Sequence, residues 1–391
     1  MAMSMGVAAW AGRASAEPWS IEPSAGVAAD YESNPGLRTY DERVEEHIAA
    51  ILDVPLRYDA DELEFMLRPS GRLSDKAGYD SLASNYVHLD TSAQYASDRS
   101  SATWQGELAR DSSLLFIGPG LNGLGVRRDS ALTALDWTHL LTEREQLQLD
   151  ANWSEVKYAL PPTATYLVDY RYLSGGPTWS VNATERSTVK LNAGVGQYTS
   201  LNGITSSRSY NPQLEFVRQL TEIWSLTATA GYARAINSEK FYFGPFFLGS
   251  FKATENSTTY SATLSRRGER LNLSATASRA LAPTGLAYLS QLESAGFTAA
   301  FTRSEYWDYR LNASWQRAVN PVSSTERTTQ HYVNAQIAAD WHWTPQWTVT
   351  LSLGRVSETF DVSEAFAPPA SSAASNIAII TVTRQFLRTD L

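Results

Sequence analysis

The chain has no cysteine in its 391 residues, which excludes a disulfide framework and any thiolate metal site. It also lacks a long apolar run, and no stretch approaches the ~20 apolar residues that a membrane-spanning helix needs. Basic charge is in deficit. Lysine and arginine total 32 against 41 aspartates and glutamates, for a formal net charge of −9. That balance argues against a nucleic-acid partner, because phosphate binding needs a basic face. Histidines are few and scattered (His47, His88, His139, His331 and His342), without HExxH or another metal spacing, so no cofactor or metal is expected. Ser84 and His88 could be imagined as a nucleophile and its base. At i, i+4 on a strand they would stand about 13 Å apart, so no enzymatic activity is expected.

What the chain has instead is a two-residue rhythm. Leu147, Leu149, Ala151 and Trp153 alternate with Gln146, Gln148, Asp150 and Asn152, and the same beat returns at 271–277 and 333–341. A period of two means strands with one apolar and one polar face. Aromatics make up 11% of a chain whose overall hydropathy is negative, with 12 Trp and 19 Tyr. Repeated through the chain, this pattern predicts an all-β transmembrane antiparallel β-barrel with a polar lumen.

The connections sharpen that expectation. Short, charged turns, such as Leu141–Glu145, Ala183–Ser187 and Thr344–Gln346, alternate with long connections at 32–45, 70–83, 113–129, 158–164, 200–208, 236–255, 281–290, 318–328 and 359–375. Tight periplasmic turns and longer outer loops are the outer-membrane pattern. About eighteen strands are predicted, with sixteen the alternative: 20–31, 46–57, 62–69, 84–96, 101–112, 130–140, 145–157, 165–182, 188–199, 209–219, 223–235, 256–265, 270–280, 291–301, 306–317, 329–342, 346–358 and 376–387. Within 165–182, Gly175 and Gly176 predict a bulge or an extra hairpin. Residues 1–16 read as the remnant of an export signal, ending in the small-x-small pattern Ala14-Ser15-Ala16 but without a basic start. The rest, 17–391, is expected to be a single barrel domain in the outer membrane of a Gram-negative bacterium.

Tryptophan gives an independent check. Trp104, Trp137, Trp224, Trp307, Trp341 and Trp347 lie within a few residues of a short turn and are expected to form an aromatic girdle, with Trp153 and Trp315 marking a second belt. With the apolar parity facing lipid, the opposite parity supplies candidate lumen residues: Asp53, Glu64, Asp90, Glu107, Asp136, Asp150, Asp169, Arg171, Lys190, Glu215, Asp308, Arg310 and Asp340. Acids outnumber bases among them, so the lumen should disfavour strongly anionic solutes. The aromatic stretch Phe241, Tyr242, Phe243, Phe246 and Phe247 is read as a candidate constriction loop, with capping or lipopolysaccharide contact as alternatives of equal weight. The glycine-rich Gly118–Gly125 lacks a P-loop Lys-Ser/Thr and a following helix, and reads as an outer loop.

Three segments carry a family resemblance: Ser24–Pro35 (SAGVAADYESNP), the strand–turn–strand Trp179–Gly194 (WSVNATERSTVKLNAG) and the closing Thr381–Phe386 (TVTRQF). The chain resembles the β-barrel porin 2 group of outer-membrane proteins, whose members often accompany exopolysaccharide synthesis and export. The resemblance implies a barrel channel, a passive conduit for an exopolysaccharide or its fragments, and no catalytic residues. A diffusion porin for small neutral or cationic solutes is the alternative, and a plugged structural or adhesive barrel a further one. Expected partners are outer-membrane lipid and lipopolysaccharide, the barrel assembly machinery and a periplasmic polysaccharide-export complex.

Overall fold

The computed structural model describes residues 19–37, 42–76, 84–113, 125–159, 167–243, 246–283, 289–321, 327–362 and 371–390. Its strands are β1 (Trp19–Ile21), β2 (Ser24–Glu32), β3 (Glu45–Asp53), β4 (Leu56–Asp59), β5 (Leu63–Ser74), β6 (Tyr86–Ala96) and β7 (Ser100–Ser112). They continue with β8 (Arg127–Leu140), β9 (Glu145–Tyr158), β10 (Tyr170–Thr184), β11 (Ser187–Ser200), β12 (Thr205–Gln219), β13 (Trp224–Phe243) and β14 (Phe246–Arg267). The last are β15 (Leu271–Pro283), β16 (Leu289–Ser304), β17 (Trp307–Pro321), β18 (Arg327–Thr344), β19 (Trp347–Val362), β20 (Ser371–Gln385) and β21 (Thr389–Asp390).

Six of these are pieces of three longer strands. Glu22 and Pro23 interrupt β1–β2, Val54 and Pro55 interrupt β3–β4, and residues 386–388 separate β20 from β21. The register runs straight through the β3–β4 break, since Asp53 opposite Ser70 and Leu56 opposite Leu67 lie on one ladder along β5. Proline has no N–H to give such a ladder; there Val54 N donates to the Pro69 carbonyl at 3.0 Å instead. Merging the pieces leaves eighteen wall strands. Every pairing is antiparallel, and β2 on β20 closes the barrel. Closure removes the open sheet edge that a membrane cannot tolerate.

Short turns gather at the end that holds the first and last strand pieces, because Trp19 pairs with Tyr58 just before the first of them. Threonine shapes several. The Oγ1 of Thr142, Thr221 and Thr344 each accepts the backbone N–H three residues on, from Glu145, Trp224 and Trp347, all at 3.1 Å. A hydroxyl that satisfies the turn's free N–H ends one strand and starts the next.

The strands outrun their predicted lengths at the opposite end. The 236–255 connection is the upper part of the β13–β14 hairpin, paired as far as Phe243 opposite Phe246 with a bulge at Phe241/Tyr242. Its outward positions there include Ser238, Lys240, Lys252 and Thr254, so the apolar beat that marks a strand in sequence fades although the ladder continues. At Gly175 and Gly176 there is neither an added hairpin nor a register shift on β9 or β11; the shift lies at Asn182/Thr184. These glycines instead allow close approach of neighbouring strands, for a Cβ on Gly175 would collide with the Asp150 carbonyl and one on Gly176 with that of Ala193.

The outward face is apolar and open. Leu73 and Ile48 are 64% and 63% exposed, and Val27, Leu52, Val87, Leu108, Leu191, Val195, Leu214 and Ile337 are exposed with them. A continuous apolar band of this size matches a lipid-facing belt rather than a wetted surface. No helix among the described residues is long and apolar enough to cross a membrane, which says nothing of a barrel.

Candidate permeation path

The inward face of the wall divides into two arcs. On β2 to β9 it is crowded with carboxylates. Asp53 accepts two hydrogen bonds from the Arg68 guanidinium, both at 2.7 Å. Arg68 stands opposite Asp90 on the next strand, and Asp90 opposite Glu107. Nearer the short turns, Glu64 faces Gln94, and Asp136 lies directly opposite Asp150. Gln148 Nε2 donates to Asp136 at 2.6 Å. Among the described residues no lysine or arginine ion-pairs with Glu107, Asp136 or Asp150. Like charges directly across a ladder repel, which costs the wall stability.

From β13 to β16 the spanning part of the lumen wall is uncharged. Thr229, Ser261, Thr263, Thr276, Ser278, Ser294 and Thr298 line it along matching ladder positions. Ser278 and Ser294 share a 2.7 Å hydrogen bond. The flanks of this arc carry paired charges: Lys190 with Glu215 at 2.8 Å on one side, and Arg310 with Asp340 at 2.9 Å and His342 with Asp308 at 2.9 Å on the other. Thr350 Oγ1 also donates to Asp340, at 2.7 Å.

Of the candidate lumen residues, Asp53, Glu64, Asp90, Glu107, Asp136, Asp150, Lys190, Glu215, Asp308, Arg310 and Asp340 occupy inward ladder positions. Two do not. Arg171 is on the outward face opposite Glu155, and Asp169, of the same parity, precedes β10 and accepts the Tyr158 N–H at 2.8 Å. The parity argument fails there because the apolar residues of β10's first turns, Tyr170 and Tyr172, point inward. They join a buried cluster of Val126, Val156, Tyr158, Leu167, Tyr198 and Leu289, with Leu281 packed alongside.

That cluster bridges the lumen at the long-connection end. Leu289 opens β16, six strand steps from β10 and about 29 Å around the wall at ~4.8 Å per strand. It is nonetheless 1% exposed within the cluster that also holds Tyr170 and Tyr198, whose rings stack at 5.3 Å. The tip of the β15–β16 hairpin therefore leans inward. Consistent with this, β14 and β15 pair only up to Tyr260 opposite Arg279, and above that point Ser257 of β14 reaches Gln291 of β16 at 3.4 Å. Leu37 makes a second inward contact, buried against Val356 and Ala373 beside Tyr332 and Ile377.

The aromatic segment sits elsewhere. Phe241–Phe243 and Phe246–Phe247 form the paired tip of the β13–β14 hairpin, where Phe247 and Leu248 are exposed. Gly244 and Pro245, like most of the Gly118–Gly125 loop and residues 1–16, lie outside the described residues. Around the same rim, Asp111 is fully buried and accepts from the Arg128 guanidinium twice at 2.9 Å, with His88 at 3.2 Å. Arg72 pairs with buried Asp30, and Gln330 donates to Glu358 at 2.8 Å. Of these, Asp111, Arg72, Arg128 and Glu358 were not among the sequence candidates. They sit at strand ends, where the alternation gives no guide to partners.

All six girdle tryptophans, Trp104, Trp137, Trp224, Trp307, Trp341 and Trp347, face outward near the short turns. Trp307 and Trp341 stack at 6.1 Å. Trp19, beside Tyr58 and Phe65, and Trp179 extend the row. Arg384 lies over the Trp347 ring at 5.6 Å.

The structure is similar to OccK2 (OpdF) of Pseudomonas aeruginosa, with a TM-score of 0.50 and 12% identity, covering 96% of this chain and 100% of that one. OccK3 (OpdO) of the same organism gives a TM-score of 0.44 and 14% identity over 94% and 96% of the two chains. The ferric citrate transporter FecA gives 0.48 and 9% over 96% and 79%. No protein-family model matches the sequence, and no curated protein is similar to it. The OccK2 likeness, at its low identity, shows the fold: the chain has the closed antiparallel barrel of outer-membrane proteins.

Proposed function

We propose that the protein is an outer-membrane channel for neutral or cationic hydrophilic solutes. The observation that carries this reading is the two-sided lumen, with carboxylates on β2–β9 facing hydroxyls on β13–β16. Carboxylate-lined constrictions favour cations and repel anions. Hydroxyl and amide groups replace the hydrogen bonds that a polar solute gives up to enter. The apolar outward band and the girdle support an outer-membrane location. The cluster that holds Leu289 and Tyr198 lies at the outer end of this path.

A second reading is a passive conduit for an exopolysaccharide or its fragments. The porin 2 resemblance favours it, as does the uncharged hydroxyl arc, which suits sugar rings. It requires the bridge to swing aside for a polymer and a periplasmic export complex to supply one. Refolded protein in a planar bilayer tests both. Cation-preferring openings, read from the reversal potential, support the channel, and block by a neutral oligosaccharide adds the conduit. Anion preference would sink the first reading, and stable insertion without conductance would leave a plugged barrel.

A further inference from the structure

The outward face should be apolar, yet β7–β10 carry a charged group there, two residues beyond an outward tryptophan. On β9, Trp153, Glu155 and Lys157 follow one another on the outward face. Arg110 of β7 stands opposite Asp129 of β8, which stands opposite Lys157, while Glu155 faces Arg171 of β10. The contacts are close: Arg110 to Asp129 at 2.7 Å, Arg127 to Asp129 at 3.3 Å, Lys157 to Glu155 at 2.8 Å and Arg171 to Glu155 at 2.6 Å. Two carboxylates thus hold four cations, a third, Asp169, lies near Lys157, and the patch keeps one net positive charge on a chain of net charge −9.

Its depth is set by the strands. Asp129 is eight residues from the girdle residue Trp137, or about 26 Å along β8. A strand tilt of ~40° brings that to roughly 20 Å of height, close to an outer-membrane barrel's apolar band. The patch therefore lies at the headgroup level of the leaflet on the long-connection side. The patch forms one wall of a groove of about 520 Å³ whose apolar lining includes Val87, Leu108 and Ala131 and whose charged lining is Arg110, Asp129, Glu155 and Lys157, with Arg127 and Arg171 paired to those carboxylates from outside it.

We infer that this groove binds a lipid with more than one phosphate on its headgroup, an inference that rests on the outer-membrane reading above. The cations fall into two pairs, Arg110 with Arg127 and Lys157 with Arg171, each gathered on one carboxylate. From β7 to β10 is three strand steps, about 14 Å, so two phosphates of one headgroup can each meet a pair. Arginine's planar fork suits phosphate oxygens, and the apolar lining receives an acyl chain. Asp129 and Glu155 hold the cations in place before the lipid arrives.

The test is native mass spectrometry of the refolded barrel in detergent, titrated with bis-phosphoryl lipid A, monophosphoryl lipid A and phosphatidylethanolamine. The expected result is at least tenfold tighter retention of the bis-phosphoryl lipid than of phosphatidylethanolamine, with the monophosphoryl form between them. Arg110→Gln/Lys157→Gln/Arg171→Gln should remove that preference, and Arg208→Gln/Arg234→Gln, outward on another part of the wall, should keep it. A heat-modifiable band on gels shows that each variant is folded. Equal retention by the triple variant overturns the site. Displacement by millimolar inorganic phosphate overturns the lipid assignment in favour of a bare anion site. Absence of the heat-modifiable band in the parent protein would overturn the barrel reading as well, and so is distinguishable from loss of the site alone.

Discussion

The arc from β2 to β9 and the arc from β13 to β16 share one backbone geometry and one parity rule, yet they are chemically unlike. In the first, Asp136 faces Asp150 and Asp90 faces Glu107. In the second, Ser278 faces Ser294 and Thr263 faces Thr276. A facing pair of acids costs the wall stability, whereas a hydroxyl pair does not. A wall selected for stability alone would have used hydroxyls throughout. On the channel reading proposed above, the difference separates two tasks: the acidic arc sets the sign of the lumen's field, and the hydroxyl arc supplies neutral contact.

The largest expected effect comes where the arcs touch. Leu289→Ser with Tyr198→Ser removes the bridge's packing, and single-channel conductance should rise severalfold; unchanged conductance would mean that the bridge does not limit flow. Next comes the acidic arc. Glu107→Gln/Asp136→Asn/Asp150→Asn should lower the cation-to-anion permeability ratio roughly threefold to tenfold, on the scale of ~1 kcal/mol per close charge in water. The same variant should unfold at higher urea, since a cross-strand repulsion of up to about 1 kcal/mol per pair is lifted. A lower midpoint would show that these acids stabilise the wall. On the hydroxyl arc, Thr276→Val/Ser278→Ala/Ser294→Ala should leave the reversal potential alone and weaken oligosaccharide block about threefold or more, given ~1 kcal/mol per hydrogen bond. The smallest effect belongs to Arg171→Gln, which should change neither conductance nor selectivity because the side chain faces outward. A shift in reversal potential there would return Arg171 to the lumen.

Much of this contrast was legible in the sequence. Period-two alternation across the membrane depth placed Asp136, Asp150 and Asp340 inward, and the short turns and their tryptophans set which end is which. Legibility failed where the membrane no longer imposes the pattern. Tyr170 and Tyr172 are apolar in sequence and inward in the fold, since the bridge, not lipid, receives them. The upper β13–β14 hairpin read as a loop because polar residues such as Lys240 and Lys252 take its outward positions and erase the beat. The inward lean of β15–β16 left no local trace at all, because it depends on residues far apart in the chain.

The seam that closes the wall has a kinetic consequence. Near it Asn34 N donates to Ser375 Oγ, a partner 341 residues away in sequence, and Ala28 pairs with Thr381 just below. β2 can pair at once with β3, but it cannot close on β20 until that strand has emerged. Such a ladder has a high contact order, and the loop-closure entropy falls due before the pairing rewards it. Until then two unpaired edges exist together, at opposite ends of one chain, each able to zip onto a stranger. The strand order thus makes closure of the seam the late step of folding.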